Sequence, residues 1–309
     1  MLQKQITKGL FSTKISAKAS NINSIPLLHL RMDSLRPLLT SYAYNILGSY
    51  EDAKDVVQDV MLEMVNRTGD EIQNEKAYLT RSVINRAINA RNRLQKMQSG
   101  YPGHWLPEPV ATETADGNLN QKDILSYSLM VLLEKLDARQ RAVFILKEAF
   151  SYDHEEIAEV LDISVENSRK ILSRARTALQ NEHIKELAKT PASYLDKYID
   201  TIRSRDVKKL EQLLSNDIIV VSDGGGKVRA ALNPLVGIES ASLFLSGVFH
   251  KFYNSREPVR GWVNHHPALF YYHDNKLVTC MIFEWQNGLL HRVYIMRNPD
   301  KLGGLGRVS

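Results

Sequence analysis

The feature that most constrains this chain is a change of hydrophobic period along it. Up to about residue 187 apolar residues recur every three to four positions, as on a helix with one buried face; beyond about residue 214 they alternate or cluster as in strands. At 309 residues the chain also exceeds the ~250 that one core usually holds, so it divides into domains, all-α first and α+β last.

In the helical part, Ala53, Val56, Val57, Val60, Met61 and Met64 follow the i, i+3, i+4 rule, with Ser49 and Asp52 at capping-box separation ahead of them. A second helix is expected from about Glu75 to Met97, with Leu79, Val83, Ala87, Ala90 and Leu94 along one side. Between Met97 and Gln121 Gly, Pro, Thr and Asn take over, which reads as a linker, although Trp105 and Leu106 in its run YPGHWLPEP are too apolar for an idle one. Helical spacing returns from Ile124 to Leu187. In the last third, a helical stretch to about Leu214 precedes a strand at Ile218–Val221. Lys276–Gln286 and Leu289–Arg297 flank Asn287-Gly288, the signature of a tight hairpin turn, and Ala268–His273 extends them to a three-stranded meander.

Three polar faces could carry function. The first helix sets Asp52, Asp55, Gln58, Asp59 and Glu63 opposite its apolar stripe, which fits either a solvated face or a docking face. The second projects Arg81, Asn85, Arg86, Asn89, Asn92, Arg93 and Lys96, and no acid lies between Lys76 and Pro107. Cations suit phosphates and Asn suits base edges, so this mixture points to nucleic acid. The third is the most specific. Glu155–Leu161 forms a short helix, Asp162-Ile163 a turn, and Ser164 caps a second helix that shows Glu166, Asn167, Arg169, Lys170, Ser173, Arg174 and Arg176 outward. That is a helix-turn-helix pattern, with an ordinary helical hairpin as the alternative and Asp162 standing where glycine is common.

Composition narrows the setting. The formal charge is only +5, so local basic stretches matter more than the total. Cys280 is the sole cysteine, which excludes an internal disulfide or a multi-cysteine metal site and fits a reducing cytoplasm. No apolar run approaches the ~20 residues needed to cross a bilayer. The first 23 residues hold four lysines and no acid, as in a disordered tail or a transit peptide.

The order of LGSYEDAKDVVQDVML (Leu47 to Leu62), AYLTRSVINRAINARNRLQ (Ala77 to Gln95) and LDARQRAVFILKEAFSYDHEEIAEVLDISVENSRKILSRAR (Leu136 to Arg176) resembles regions 2 and 4 of extracytoplasmic-function sigma factors. YPGHWLPEP, DGGGKV (Asp223 to Val228) and NPDKL (Asn298 to Leu302) further resemble the subfamily with a SnoaL-like extension of the nuclear-transport-factor-2 fold. The resemblance implies a basic tail over 1–25, region 2 over 26–97, a linker over 98–121, region 4 over 122–187, an α+β cone domain over 190–303 and a short tail over 304–309. It implies that Asp52, Asp55, Gln58 and Asp59 dock on the β′ clamp helices of core RNA polymerase. Arg81, Asn85, Arg86, Asn89 and Arg93 would face the −10 promoter element, and Asn167, Arg169, Lys170, Ser173 and Arg174 the −35 element.

The extension is expected to act in cis on the sigma core. Its interface would comprise Trp105, Leu106 and Pro107 of the linker, Asp223, Gly224, Gly225, Gly226 and Lys227, and Asn298, Pro299, Asp300 and Lys301. Asp300 and Lys301 could pair across it, with Trp105 as a buried anchor. Relatives of this fold include enzymes with an apolar pocket and a His/Asp pair, for which Asp223, His265, His266 and His273, lined by Trp262, Tyr271, Tyr272, Phe283 and Trp285, are the candidates here. An unidentified small ligand could occupy such a pocket, and a SnoaL-like enzyme fused to a DNA-binding module is the rival reading. No cofactor or metal is implied, because Gly224-Gly225-Gly226-Lys227 lacks the spacing of a phosphate loop and reads as a strand-end turn.

Overall fold

A computed structural model describes residues 32–67, 72, 74–112, 121–180, 191, 193–254 and 256–305. The expected basic tail and the last residues of the helical part therefore lie outside the described residues. Three helices open the described chain: α1 over residues 32–47, α2 (Tyr50–Asn66) and α3 (Glu75–Gln98). Their buried positions are those the spacing predicts, including Ala53, Val57, Val60, Met61 and Met64 of α2 and Leu79, Val83 and Ala87 of α3. Ser49 caps α2 by accepting from the amide of Asp52.

Four further helices follow the linker: α4 (Tyr127–Leu132), α5 (Ala138–Glu148), α6 (His154–Leu161) and α7 (Val165–Ala178). Asp153 and Glu156 form a reciprocal capping box at α6, and Ser164 caps α7. Between them Asp162 takes the left-handed conformation (φ 54°, ψ 54°), which Asp adopts more readily than most residues. The two helical groups are not separate beads. Ala43, Leu47, Val83, Met130, Phe144 and Leu161 belong to one continuous apolar core spanning α1 to α7.

The last third adds α8 (Ser193–Arg203), α9 (Val207–Glu211), α10 (Ile238–Val248) and a one-turn α11 (Pro299–Leu302) to a six-stranded sheet. Its strands are β1 (Leu214–Asp223), β2 (Leu235–Val236), β3 (Val259–Val263), β4 (His266–His273), β5 (Lys276–Gln286) and β6 (Leu289–Met296), in the order β2-β1-β6-β5-β4-β3. Among the described strand pairs only β1–β6 is parallel. Asn287 and Gly288 both take positive φ, as the hairpin turn between β5 and β6 requires.

Side chains alternate across this sheet, and both faces are buried. Met281, Phe283, Tyr271, Val293 and Ile295 pack under α8 and α10. Cys280, Ile282, Phe270, Tyr294 and Met296 face the other way, where Leu106 and Ala111 of the linker, Tyr127 of α4, and Leu302 and Leu305 cover them. An antiparallel sheet commonly leaves one face to water. Here the rest of the chain covers it.

The linker is packed rather than idle: Leu106, Val110 and Ala111 are buried, and Val110–Thr112 runs antiparallel to β3 through Thr112 N–Trp262 O and Asn264 N–Val110 O, both 3.0 Å. The short tail expected from 304 is not loose where described, because Leu305 is buried in the same apolar face. Of the expected pocket lining, Tyr271, Phe283 and Trp285 fall together in the core under α8 and α10, Phe283 against Tyr198 and Tyr271 against Tyr253, whereas Tyr272 packs toward the opposite face.

Candidate functional site

On α2, Asp55, Gln58, Asp59 and Glu63 are exposed and Asp52 is half-buried, because α2's apolar stripe faces α3. Asp59 and Glu63 also reach Arg86 of α3, Glu63 by a direct hydrogen bond. The acid-free part of α3 after Glu75 thus acquires acids from its neighbour. On α3 itself Arg81, Asn89 and Arg93 are exposed and Asn85 and Arg86 half-buried. Asn85 is engaged: its Nδ2 donates to the carbonyl of Val160 in α6 at 2.9 Å, while Arg81 lies 4.0 Å from Asp162. On α7 Asn167, Arg169, Lys170, Ser173 and Arg174 are all exposed, with Lys170 paired to Glu166 one turn back. Arg176, half-buried, instead bonds Glu148 of α5.

A second constellation joins the linker to the extension. Asp223, at the end of β1, is fully buried; its Oδ1 accepts from Tyr101 Oη at 2.5 Å, and its Oδ2 accepts from the amide of Leu106 at 3.0 Å and from Lys301 Nζ at 2.8 Å. Lys301 also donates to the Leu106 carbonyl at 2.7 Å and stands 3.2 Å over the Trp105 ring. Burial lowers the Lys301 pKa, and the Asp223 carboxylate opposes that. Asn298 Nδ2 donates to Tyr101 Oη at 3.0 Å, and its Oδ1 caps α11.

The glycines are dictated by this packing. A Cβ on Gly225, at φ +64°, would lie 2.4 Å from Asn298 Cγ, and one on Gly226 would lie 2.5 Å from Pro102 Cγ. Two expected details are corrected. Asp300 pairs with Lys227 of its own domain at 2.6 Å, both exposed, so of these two residues Lys301 alone crosses to the linker. Trp105 is half-buried, and the fully buried anchor is Leu106.

The candidate catalytic groups are dispersed. His265 Nε2 meets the Ile124 carbonyl at 2.9 Å, His266 Nε2 meets Ser128 Oγ at 2.9 Å, and His273 is exposed. Asp223 is occupied as above. Burial, with His265 nearby, pushes the His266 imidazole down to about 4, so it packs neutral against α4. Among the described residues no group of three or more His, Cys, Asp or Glu could hold a metal ion, and no helix is long and apolar enough to cross a membrane.

Sequence reasoning missed three residues that join the helical domains. Glu134 accepts from Arg91 Nη2 of α3 at 2.6 Å and Arg141 Nη1 of α5 at 2.7 Å, and both guanidiniums are fully buried. Burial works to raise the Glu134 carboxyl, yet the two cations hold it below its ordinary value. Glu108 of the linker was also missed. Its Oε2 accepts from the amides of Tyr50 (2.7 Å) and Glu51 (3.3 Å) and from Ser49 Oγ (3.2 Å), so it caps α2 from outside that helix.

A helix-turn-helix with an exposed recognition face, joined to a helical bundle with one acidic and one basic surface, defines a transcription factor of two DNA-facing modules. Residues 32–97 match the family described as Sigma-70 region 2, and residues 126–179 match Sigma-70, region 4. The chain is 27% identical over 232 residues to the ECF RNA polymerase sigma factor SigJ of Mycobacterium tuberculosis, covering 71% of this chain and 72% of that relative. It is 23% identical over 153 residues to the probable ECF RNA polymerase sigma factor SigI of the same organism, covering 48% and 53%. The crystal structure of SigJ superposes with a TM-score of 0.72 at 24% identity, over 89% of this chain and 98% of that one. Residues 32–97 and 126–179 thus carry the two regions of the sigma-70 family, and the relatives the chain resembles are sigma factors of the extracytoplasmic-function type. The fold likeness to SigJ includes the sheet domain that follows region 4.

Proposed function

We propose that this sigma factor binds core RNA polymerase through the acidic face of α2, reads the −10 element with α3 and the −35 element with α7, and is gated in cis by its own C-terminal domain. It acts by binding alone. Asp52, Asp55, Gln58 and Asp59 form the polymerase surface. Arg81, Asn85, Arg86, Asn89 and Arg93 form one DNA surface, and Asn167, Arg169, Lys170, Ser173 and Arg174 the other. The cis interface is the set around Asp223, Leu106, Asn298 and Lys301.

The contact of α3 with α6 carries the closed-state reading. Two elements about 25 base pairs apart are separated by roughly 85 Å of duplex, at about 3.4 Å per base pair. Asn85 and the helix-turn-helix are instead in hydrogen-bond contact. Recognition of both elements therefore needs the two regions to part. The rival, an enzyme with an appended DNA-binding module, gains nothing from His265, His266 and His273, which converge on no common point.

The test is transcription in vitro with bacterial core RNA polymerase and genomic DNA fragments. Specific initiation is expected from the chain, with loss in Asp55→Arg/Asp59→Arg. A change on truncation after Leu187 is expected from cis control, its sign giving the direction. No polymerase-dependent initiation under any condition would overturn the proposal and turn attention to turnover by the C-terminal domain.

A further inference from the structure

Asn264 sits at the tip of the β3–β4 hairpin, between the paired residues Val263 and His266, with φ +45°. Its side chain is fully buried. A residue that only shapes a tight turn has no reason to be buried, and an Asn in such a turn usually directs hydrogen bonds to neighbouring backbone. Asn264 does not.

Its hydrogen bonds leave its own domain. Its amide donates to the Val110 carbonyl of the linker at 3.0 Å, and its carbonyl accepts from the amide of Tyr127 in α4 at 3.2 Å. Oδ1 accepts from the amide of Val110 at 2.9 Å. Nδ2 donates to Tyr44 Oη of α1 at 2.9 Å and to the Leu125 carbonyl at 3.0 Å. Tyr44 Oη in turn donates to the Glu108 carbonyl at 2.8 Å. One carboxamide has one acceptor oxygen and two donor hydrogens, and each of the three is matched to a different partner.

We infer that Asn264 is the positioning residue of the closed state: its carboxamide clasps region 2, the linker and the start of region 4 together, and parting the regions proceeds through loss of these bonds. This rests on the reading of the extension as a cis regulator and adds the point at which it grips. Opening has to break the set as a whole, because removing Tyr44 or Leu125 from reach leaves buried donors and acceptors unpaired.

The informative variant is Asn264→Gly in the full chain. Glycine keeps the left-handed turn and the two backbone bonds while removing the three side-chain bonds. Fluorophores on cysteines introduced at the exposed positions Asn66 and Thr177 report the separation of regions 2 and 4, with Cys280 buried and unlabelled. The expected result is a population of longer separation, together with transcription changed in the same direction as in the chain truncated after Leu187. Tyr44→Phe, which touches the clasp from region 2, should give the same shift. The double variant should shift no further than the larger single one, since both remove one shared network. Asn264→Asp, which keeps the turn but sets a buried carboxylate oxygen against the Leu125 carbonyl, should shift at least as far as Asn264→Gly.

An unchanged separation in Asn264→Gly overturns the inference, whatever transcription does. So would loss of amide protection in β3 and β4, which would make Asn264 a turn former. A longer separation without any change in transcription upholds the clasp and removes the cis-control reading.

Discussion

At the scale of single residues, this chain commits polar and titratable groups to burial where they bind parts of the chain far away in sequence. His266 is the simplest case. Its folded value of about 4 lies below the ordinary 6.5, so above pH 6.5 the imidazole is neutral in folded and unfolded chains alike and contributes no slope. As pH falls from 6.5 toward 4 the unfolded chain takes up a proton that the folded chain refuses, and stability falls. The loss is roughly 3 kcal/mol, at about 1.4 kcal/mol per pH unit. Denaturant titrations of wild type and His266→Gln across this range should differ by that amount at the acid end and agree near neutrality. Glu108, raised by burial, works in the opposite direction in both proteins and cancels in the difference. Gly226→Ala tests the linker packing: a Cβ against Pro102 at φ +69° is expected to cost about 1–3 kcal/mol, read as a lowered thermal midpoint.

At the scale of elements, the reading from sequence succeeded where a period ran long enough to be counted. The stripes of α2 and α3, the caps Ser49 and Ser164, and the β5–β6 turn were legible because local spacing alone determines them. β3 and α10 were not: Val259–Val263 is only five residues long and contains Gly261, and Ile238–Val248 carries apolar residues around most of its circumference. Of the site, the motif residues Asp223, Leu106, Asn298 and Lys301 were found and are brought together. Asn264, Glu134, Arg91 and Glu108 were not, since a contact across 43 to 220 residues leaves no trace in local spacing. Arg91 was hidden among the basic residues of α3 although it faces the core. Capping of α2 by Glu108 yields its own prediction. Glu108→Ala should cost about 1–2 kcal/mol and speed amide exchange in the first turn of α2 while sparing its last turn.

At the scale of the whole molecule, the two helical regions, the linker and the extension share cores, so they are expected to unfold together. Calorimetry of the full chain should show one dominant transition. Leu106→Ala, which empties a fully buried position between the sheet and the sigma regions, is expected to remove about 2–5 kcal/mol and begin to split that transition. Glu134→Gln should be at least as severe, because Arg91 and Arg141 would share a neutral partner while buried; loss of one member of such a set costs about 3–5 kcal/mol.

The parallel pairing of β1 with β6 has a consequence in time. Strand β1 ends at Asp223 and its partner β6 runs from Leu289 to Met296, so the sheet cannot close until the end of the described chain has left the ribosome. Regions 2 and 4 are complete by residue 180. At about 5–20 residues per second, each nascent chain spends on the order of ten seconds with regions 2 and 4 made and β6 still to come. The sheet is thus finished well after the helical regions it contacts, and on the proposed cis control a nascent chain at that stage carries both regions without their regulator.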